Sequence, residues 1–241
     1  MNAYIQNEIK GVMNGMTASV GLADAGCYVT HTSDIKNFKL TDSDVFYGNV
    51  NWIKDIIFSY GYKHHQLGEV PLVLRKFAGR AIHSVTLAEA LEQSKTQKVF
   101  IKPPAYAQKA FTGFVIGDQL SKLEVINYPL DEQVLMSDVC EDIVSEWRCF
   151  IYDREIVGAQ CYKGDFKVTP DYDMVNEIRR TYDNDKTAIA YACDVYVTSE
   201  GGTYLMELND MMCLGLYGLH PKITAAMLIA RWEQIHKKKS T

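Results

Sequence analysis

Residues 192–210 read ACDVYVTSEGGTYLMELND. Two runs rich in β-branched and aromatic residues flank Ser199, Glu200, Gly201 and Gly202, so the stretch is expected to form a β-hairpin. With those four residues as the loop, Thr198 pairs with Thr203, Val197 with Tyr204 and Tyr196 with Leu205. Asp194 then falls opposite Glu207. Side chains alternate along a strand, so Asn209 shares the face of Glu207. Like charges directly across a sheet are destabilising. Two explanations stand. In one, the register differs by one and Asp194 points to solvent. In the other, a divalent cation lies between Asp194, Glu207 and Asn209 and turns repulsion into coordination. Mg²⁺ suits that set, since it takes carboxylate and carbonyl oxygens and commonly leaves positions for substrate phosphates.

A metal that holds phosphates calls for cationic side chains nearby. The segment FIKPPAYAQKAFTG puts Lys102 at the end of an apolar strand. Its loop carries Lys109 and ends at Thr112 and Gly113, where the backbone can approach a ligand closely. Such a strand–loop–strand suits folding over a triphosphate, with backbone N–H groups and lysines as donors. The alternative is a snorkelling Lys102 and a solvated Lys109. Further on, SEWRCFIYDREIVGAQCYKG reads as a hairpin turning at Asp153 and Arg154. Pairing Tyr152 with Glu155 sets Arg148 opposite Ala159 and Glu146 opposite Cys161, with Lys163 further along the same face. Arg148 offers a bidentate fork for a phosphate or acyl phosphate, or simply pairs with a glutamate on a solvent-facing sheet.

The chain around these segments is ordinary in composition. Its 241 residues, 47% hydrophobic and 23% charged, suffice for one large domain or two small ones. A net charge of −5 argues against a dedicated nucleic-acid binder, which is usually basic. No apolar run approaches the length of a membrane span and the N-terminus does not read as a signal peptide, so a cytoplasmic protein is expected. The six cysteines show no C-x-x-C pair, and buried reduced thiols are the expectation. A short strand is expected near Val45, a helix from Val50 to Tyr60, and a linker or strand through EVPLVLRKFAGRAI. Next comes a helix capped by Thr86 with Glu89 at the capping-box position. A closing helix starts near Pro221 and ends in three lysines that complement its dipole.

The order of these elements resembles the ATP-grasp superfamily, and within it the small clade named for one arginine and two lysines, found in phages and bacteria. VFIKP, KAFTG, EWRCF and MELND…GLYG carry the likeness, which spans roughly residues 72 to 220. The resemblance implies an α+β fold in which two α+β subdomains with antiparallel sheets grip ATP. The ATP-grasp domain would occupy residues 72–241. Residues 1–71 would form a small N-terminal α/β region related to substrate. Carried over by position, Lys102 contacts the α- and β-phosphates, and Lys109, Thr112 and Gly113 form the phosphate loop. Backbone at Asp138, Val139 and Cys140 meets adenine, with Asp142 at the ribose. Arg148 holds the γ-phosphate, and Asp194, Glu207 and Asn209 ligate Mg²⁺. Arg80 is the candidate for an upstream basic residue, and Lys163 fits where some relatives carry a second one. Tyr106, Tyr162 and Tyr217 are candidates to line an acceptor site.

The resemblance implies an ATP- and Mg²⁺-dependent ligase joining a carboxylate to an amine through an acyl phosphate, with a peptide or protein among the possible acceptors. A phosphotransferase on the same scaffold and a non-catalytic ATP-binding module are the alternatives.

Overall fold

The computed structural model describes residues 1–36, 38–61, 69–104, 110–184 and 187–237. The chain opens with β1 (Asn2–Ile5), α1 (Met13–Asp24), β2 (Tyr28–His31), β3 (Val45–Tyr47) and α2 (Val50–Ser59). The strands form a parallel sheet in the order β2-β1-β3. Asn49 starts α2 as expected for an N-cap, its Oδ1 accepting the Trp52 amide at 3.0 Å.

The middle of the chain folds as β4 (Ile82–Thr86), α3 (Leu87–Gln93), β5 (Val99–Lys102), β6 (Phe114–Ile116) and β7 (Gln133–Ser137). Its antiparallel sheet has the order β4-β7-β5-β6. EVPLVLRKFAGRAI becomes a 3-10 turn, Leu72–Phe77, leading into β4. The capping box at Thr86 and Glu89 forms as the sequence predicts, with the Thr86 amide donating to Glu89 Oε2 at 2.7 Å.

The last layer contains β8 (Ile143–Tyr152), β9 (Glu155–Gly164), α4 (Tyr172–Tyr182), β10 (Ala190–Thr198), β11 (Thr203–Asp210) and α5 (Pro221–Lys237). Its sheet, in the order β11-β10-β8-β9, is antiparallel throughout. The lysine run at the end of α5 lies mostly outside the described residues, with Lys237 the last one inside.

Both predicted hairpins exist, and both registers need correction. In β10–β11, Val197 rather than Thr198 pairs with Thr203, and Tyr196 pairs with Tyr204. Thr198 is drawn into the turn, where its amide donates to Gly202 O at 3.0 Å and Gly201 adopts φ 83°. A bulge at Met206 absorbs the slipped residue, so Asp194 does face Glu207. In β8–β9, Asp153 and Arg154 form the two-residue turn with φ of 47° and 68°, as a type I′ hairpin requires. Bulges at Val157 and Tyr162 then place Arg148 opposite Gln160, not Ala159, and Glu146 opposite Lys163, not Cys161.

The sheet carrying β10 is covered on both faces, which is why all nine residues of β10 are buried. Cys149, Cys193, Val195 and Val197 point to α4, against Val175 and Ile178. Phe150, Ala190 and Ala192 point the other way, into a core shared with the first sheet and α5. Cys149 and Cys193 are thus buried as expected, while the other four cysteines are only half-buried. Trp232 of α5 is fully buried in the shared core and donates its indole N–H to Phe46 O at 2.7 Å. Replacing Trp232 by Ala is expected to cost about 3–5 kcal/mol, read as a lowered urea midpoint.

Candidate active site

The side chains on one face of the last sheet form rows that cross all four strands. One row runs Glu207, Asp194, Arg148, Gln160; the next runs Tyr204, Tyr196, Glu146, Lys163. Asp194 therefore sits between a like charge on β11 and an opposite charge on β8. Arg148 grips it with a fork, Nε to Oδ1 at 2.7 Å and Nη2 to Oδ2 at 2.6 Å. Both partners are buried, where such a pair is shielded little by water.

Glu207 is balanced from the opposite direction. Lys102, at the end of β5 in the middle sheet, reaches across and places Nζ 2.7 Å from Glu207 Oε2. The Asn209 amide joins the two carboxylates, donating to Glu207 Oε1 at 3.0 Å and to Asp194 Oδ2 at 3.1 Å. Two carboxylates, two cations and a carboxamide thus converge where the middle and last sheets meet. Asp194 does not point to solvent.

Electrostatics distinguish the two acids. Burial pushes Asp194 up to about 6, against the pull of the Arg148 guanidinium. Burial also raises Glu207, but Lys102 and the Asn209 hydrogen bond outweigh it and hold that carboxyl below its usual range.

The remaining predicted residues divide by location. Arg80 lies beside β11, its guanidinium 3.4 Å from Met206 O and 5.5 Å from the Tyr196 ring centre. It lines a cleft between the two sheets together with Ile82, Phe100, Lys102, Ser137 and Met206. Asp138, Val139 and Cys140 follow β7 directly and lead across to the last sheet, where Cys140 Sγ lies 3.3 Å from the Tyr196 hydroxyl. Asp142 contributes its carbonyl, which accepts the Ser199 amide at 3.0 Å. Gly113 packs so closely on β5 that a Cβ there would lie 2.8 Å from Phe100 Cζ and 3.0 Å from Lys102 Cβ. Thr112 beside it is exposed, and Lys109 and Tyr106 lie outside the described residues. Lys163 pairs with Glu146 at 2.6 Å but stays 72% exposed, away from the converging acids.

Sequence reading missed how the 211–219 segment closes on Arg148. Gly215 O accepts Arg148 Nη1 at 2.9 Å, and the Tyr217 ring covers the guanidinium. Tyr162 stacks on Tyr217 with ring centres 5.2 Å apart. The adjacent glycines of GLYG were the available signal, since they mark a tight turn.

The family described as an ATP-grasp domain, family 2 of the clade named for one arginine and two lysines, matches residues 77–227. The chain belongs to the ATP-grasp family. The match spans every described residue of the converging cluster. Among curated proteins none matches the chain. Solved ATP-grasp structures share its fold at low identity. The D-alanine–D-alanine ligase from Bacillus anthracis superposes with a TM-score of 0.65 at 14% identity, over 99% of each chain. A complex of that ligase with ATP gives 0.64 at 15% identity, again over 99% of each. The RimK domain protein ATP-grasp from Sphaerobacter thermophilus DSM 20745 gives 0.60 at 11% identity, over 97% of this chain and 98% of the other. Among the described residues no helix is long and apolar enough to cross a membrane.

The ion pairs of this ATP-grasp cluster differ in consequence. Arg148→Met strands a buried carboxylate and is expected to cost about 3–5 kcal/mol in chemical denaturation. Lys163→Ala releases a largely exposed pair and is expected to cost about 1 kcal/mol or less.

Proposed function

We propose that the chain is an ATP- and Mg²⁺-dependent carboxylate–amine ligase. The observation that carries this reading is the convergence of Lys102, Glu207, Asn209, Asp194 and Arg148 between the two sheets of an ATP-grasp fold. The reading is also supported by the ligases that share the fold, one of them solved with ATP.

The donor set fits a hard cation. One amide nitrogen reaches oxygens of both Asp194 and Glu207, so the three side chains surround a common point. The exchange of amide O and N at Asn209 turns a third oxygen toward that point. Asp194, Glu207 and Asn209 would hold Mg²⁺, which when bound supplies charge neutralisation across the phosphates.

In this reading the chain's own groups do the positioning. Adenine occupies the cleft beside Arg80 and Met206, against the backbone of Asp138, Val139 and Cys140, with Asp142 near the ribose. Lys102 exchanges its contact with Glu207 for the α- and β-phosphates. Lys109, Thr112 and Gly113 cover the triphosphate. Arg148, held flat by Asp194, presents its remaining N–H groups to the γ-phosphoryl oxygens and stabilises the charge spread over them during transfer. A substrate carboxylate oxygen attacks the γ-phosphorus and ADP leaves; an amine then attacks the acyl carbon, releasing phosphate and a proton. Lys163 and residues 1–71 lie on the substrate side, and residues 72–241 make up the ATP-grasp domain. The acceptor is an amine, with peptides and proteins included. Use of ATP fits the cytoplasm.

The test is calorimetric titration of ATP with and without Mg²⁺, on the wild type and on Asp194→Ala/Glu207→Ala. Metal-dependent binding is expected in the first and its loss in the second; binding indifferent to both changes would overturn the metal assignment. Product analysis then decides the reaction. A ligase releases ADP and phosphate stoichiometric with a new amide, a phosphotransferase forms a phosphorylated acceptor, and a binding module turns over nothing.

Acidity supplies a further check. Asp194 is held above its ordinary value, so it carries a proton below about 6, and that proton competes with the cation. Mg²⁺-dependent ATP affinity is expected to be level above about pH 7 and to fall up to about tenfold per unit well below pH 6.

A further inference from the structure

Tyr217 occupies a backbone conformation that its side chain does not favour. Leu219 N donates to Leu216 O at 2.9 Å, closing a four-residue turn whose central residues, Tyr217 and Gly218, have φ of 46° and 89°. Two positive φ values are the requirement of a type I′ turn, where Asn, Asp or Gly normally takes the first central position. A bulky residue at positive φ is an outlier, and such strain persists where the surroundings over-determine it.

What surrounds Tyr217 is the guanidinium of Arg148. The Arg148 guanidinium carbon lies 5.1 Å from the Tyr217 ring centre and 5.8 Å from that of Tyr162. The two rings are stacked, 20° from parallel, and Tyr162 is tied down by its hydroxyl, 3.3 Å from Met206 Sδ. The same loop supplies Gly215 O to Arg148 Nη1, and a Cβ on Gly215 would lie 3.0 Å from Tyr217 Cζ and 3.3 Å from Nη1. Arginine has five N–H donors. Asp194 and Gly215 take three of them, and the tyrosine rings cover the guanidinium beside those bonds.

We propose that Tyr217 is a positioning residue, held at positive φ so that its ring, backed by Tyr162, fixes the guanidinium plane of Arg148 and leaves its two uncommitted N–H groups directed at a terminal phosphoryl group. This rests on the reading of Arg148 as the γ-phosphate residue and adds what orients it. Removing the ring lets the guanidinium tilt, which weakens a directional contact to the γ-phosphate and leaves contacts to the α- and β-phosphates unchanged.

The experiment compares Mg²⁺-dependent binding of ADP and of the β,γ-imido analogue of ATP by calorimetry. The variants are Tyr217→Asn, Tyr217→Phe and Arg148→Lys, with thermal midpoints taken alongside. Asn suits the turn and deletes the ring, so a purely structural role would leave Tyr217→Asn equal to wild type in both ligands. The expected result is a triphosphate-over-diphosphate preference reduced about fivefold or more in Tyr217→Asn, with ADP affinity unchanged and the preference kept in Tyr217→Phe. A preference intact in Tyr217→Asn but lost in Arg148→Lys overturns the role of Tyr217 alone. A preference intact in both overturns the γ-phosphate reading of Arg148 and the proposal with it. Loss of ADP affinity in Tyr217→Asn in step with the analogue also overturns it, because the ring would then be supporting the whole pocket.

Discussion

The bidentate pair between Arg148 and Asp194 is the constraint on which the site depends. Two buried charges survive on adjacent strands because each satisfies the other in good geometry, and because Gly215 O and Asn209 occupy neighbouring hydrogen-bonding directions. Without Arg148, the facing of Asp194 and Glu207 across β10 and β11 would be a repulsion in a poorly solvated place. With it, and with Lys102 on Glu207, the cluster carries equal numbers of opposite charges. That balance brings two sheets from distant parts of the chain to a single point, since Lys102 and Glu207 are separated by 105 residues.

Packing makes this polar point possible. The sheet of β8–β11 has a fully apolar face against α4, and half of its other face is buried under the first sheet and α5. Only where the small residues Ala190 and Ala192 give way to Asp194 does the second face turn polar. The strand is thus anchored by core on both sides immediately next to the charges. The bulge at Met206 does comparable work, because it keeps Glu207 aligned with Asp194 while the turn above is shifted by a residue.

Several of these features were readable from local pattern. The alternation in residues 192–210, the two-residue turn at Asp153 and Arg154, the capping box at Thr86 and Glu89, and Pro221 at the start of α5 each follow from short-range chemistry. The facing of Asp194 and Glu207 was legible too, although the counted register erred near the turn and a bulge cancelled the error. What local pattern did not reveal was the partner of each charge. Arg148 was paired by counting with the wrong residues of β9, because bulges at Val157 and Tyr162 leave no mark in a run of ordinary strand residues.

The sequence by itself determined the strands, their charged positions and the family, because alternation, capping and motif order are properties of neighbouring residues. Only the tertiary structure decided which charges meet. Lys102 reaches Glu207 through the approach of two separate sheets, and Tyr217 reaches Arg148 through a loop that must bend against its own side chain. Contacts of that kind depend on bulges, loop closure and packing between layers, which are set by the free energy of the whole chain and not by any short stretch of it.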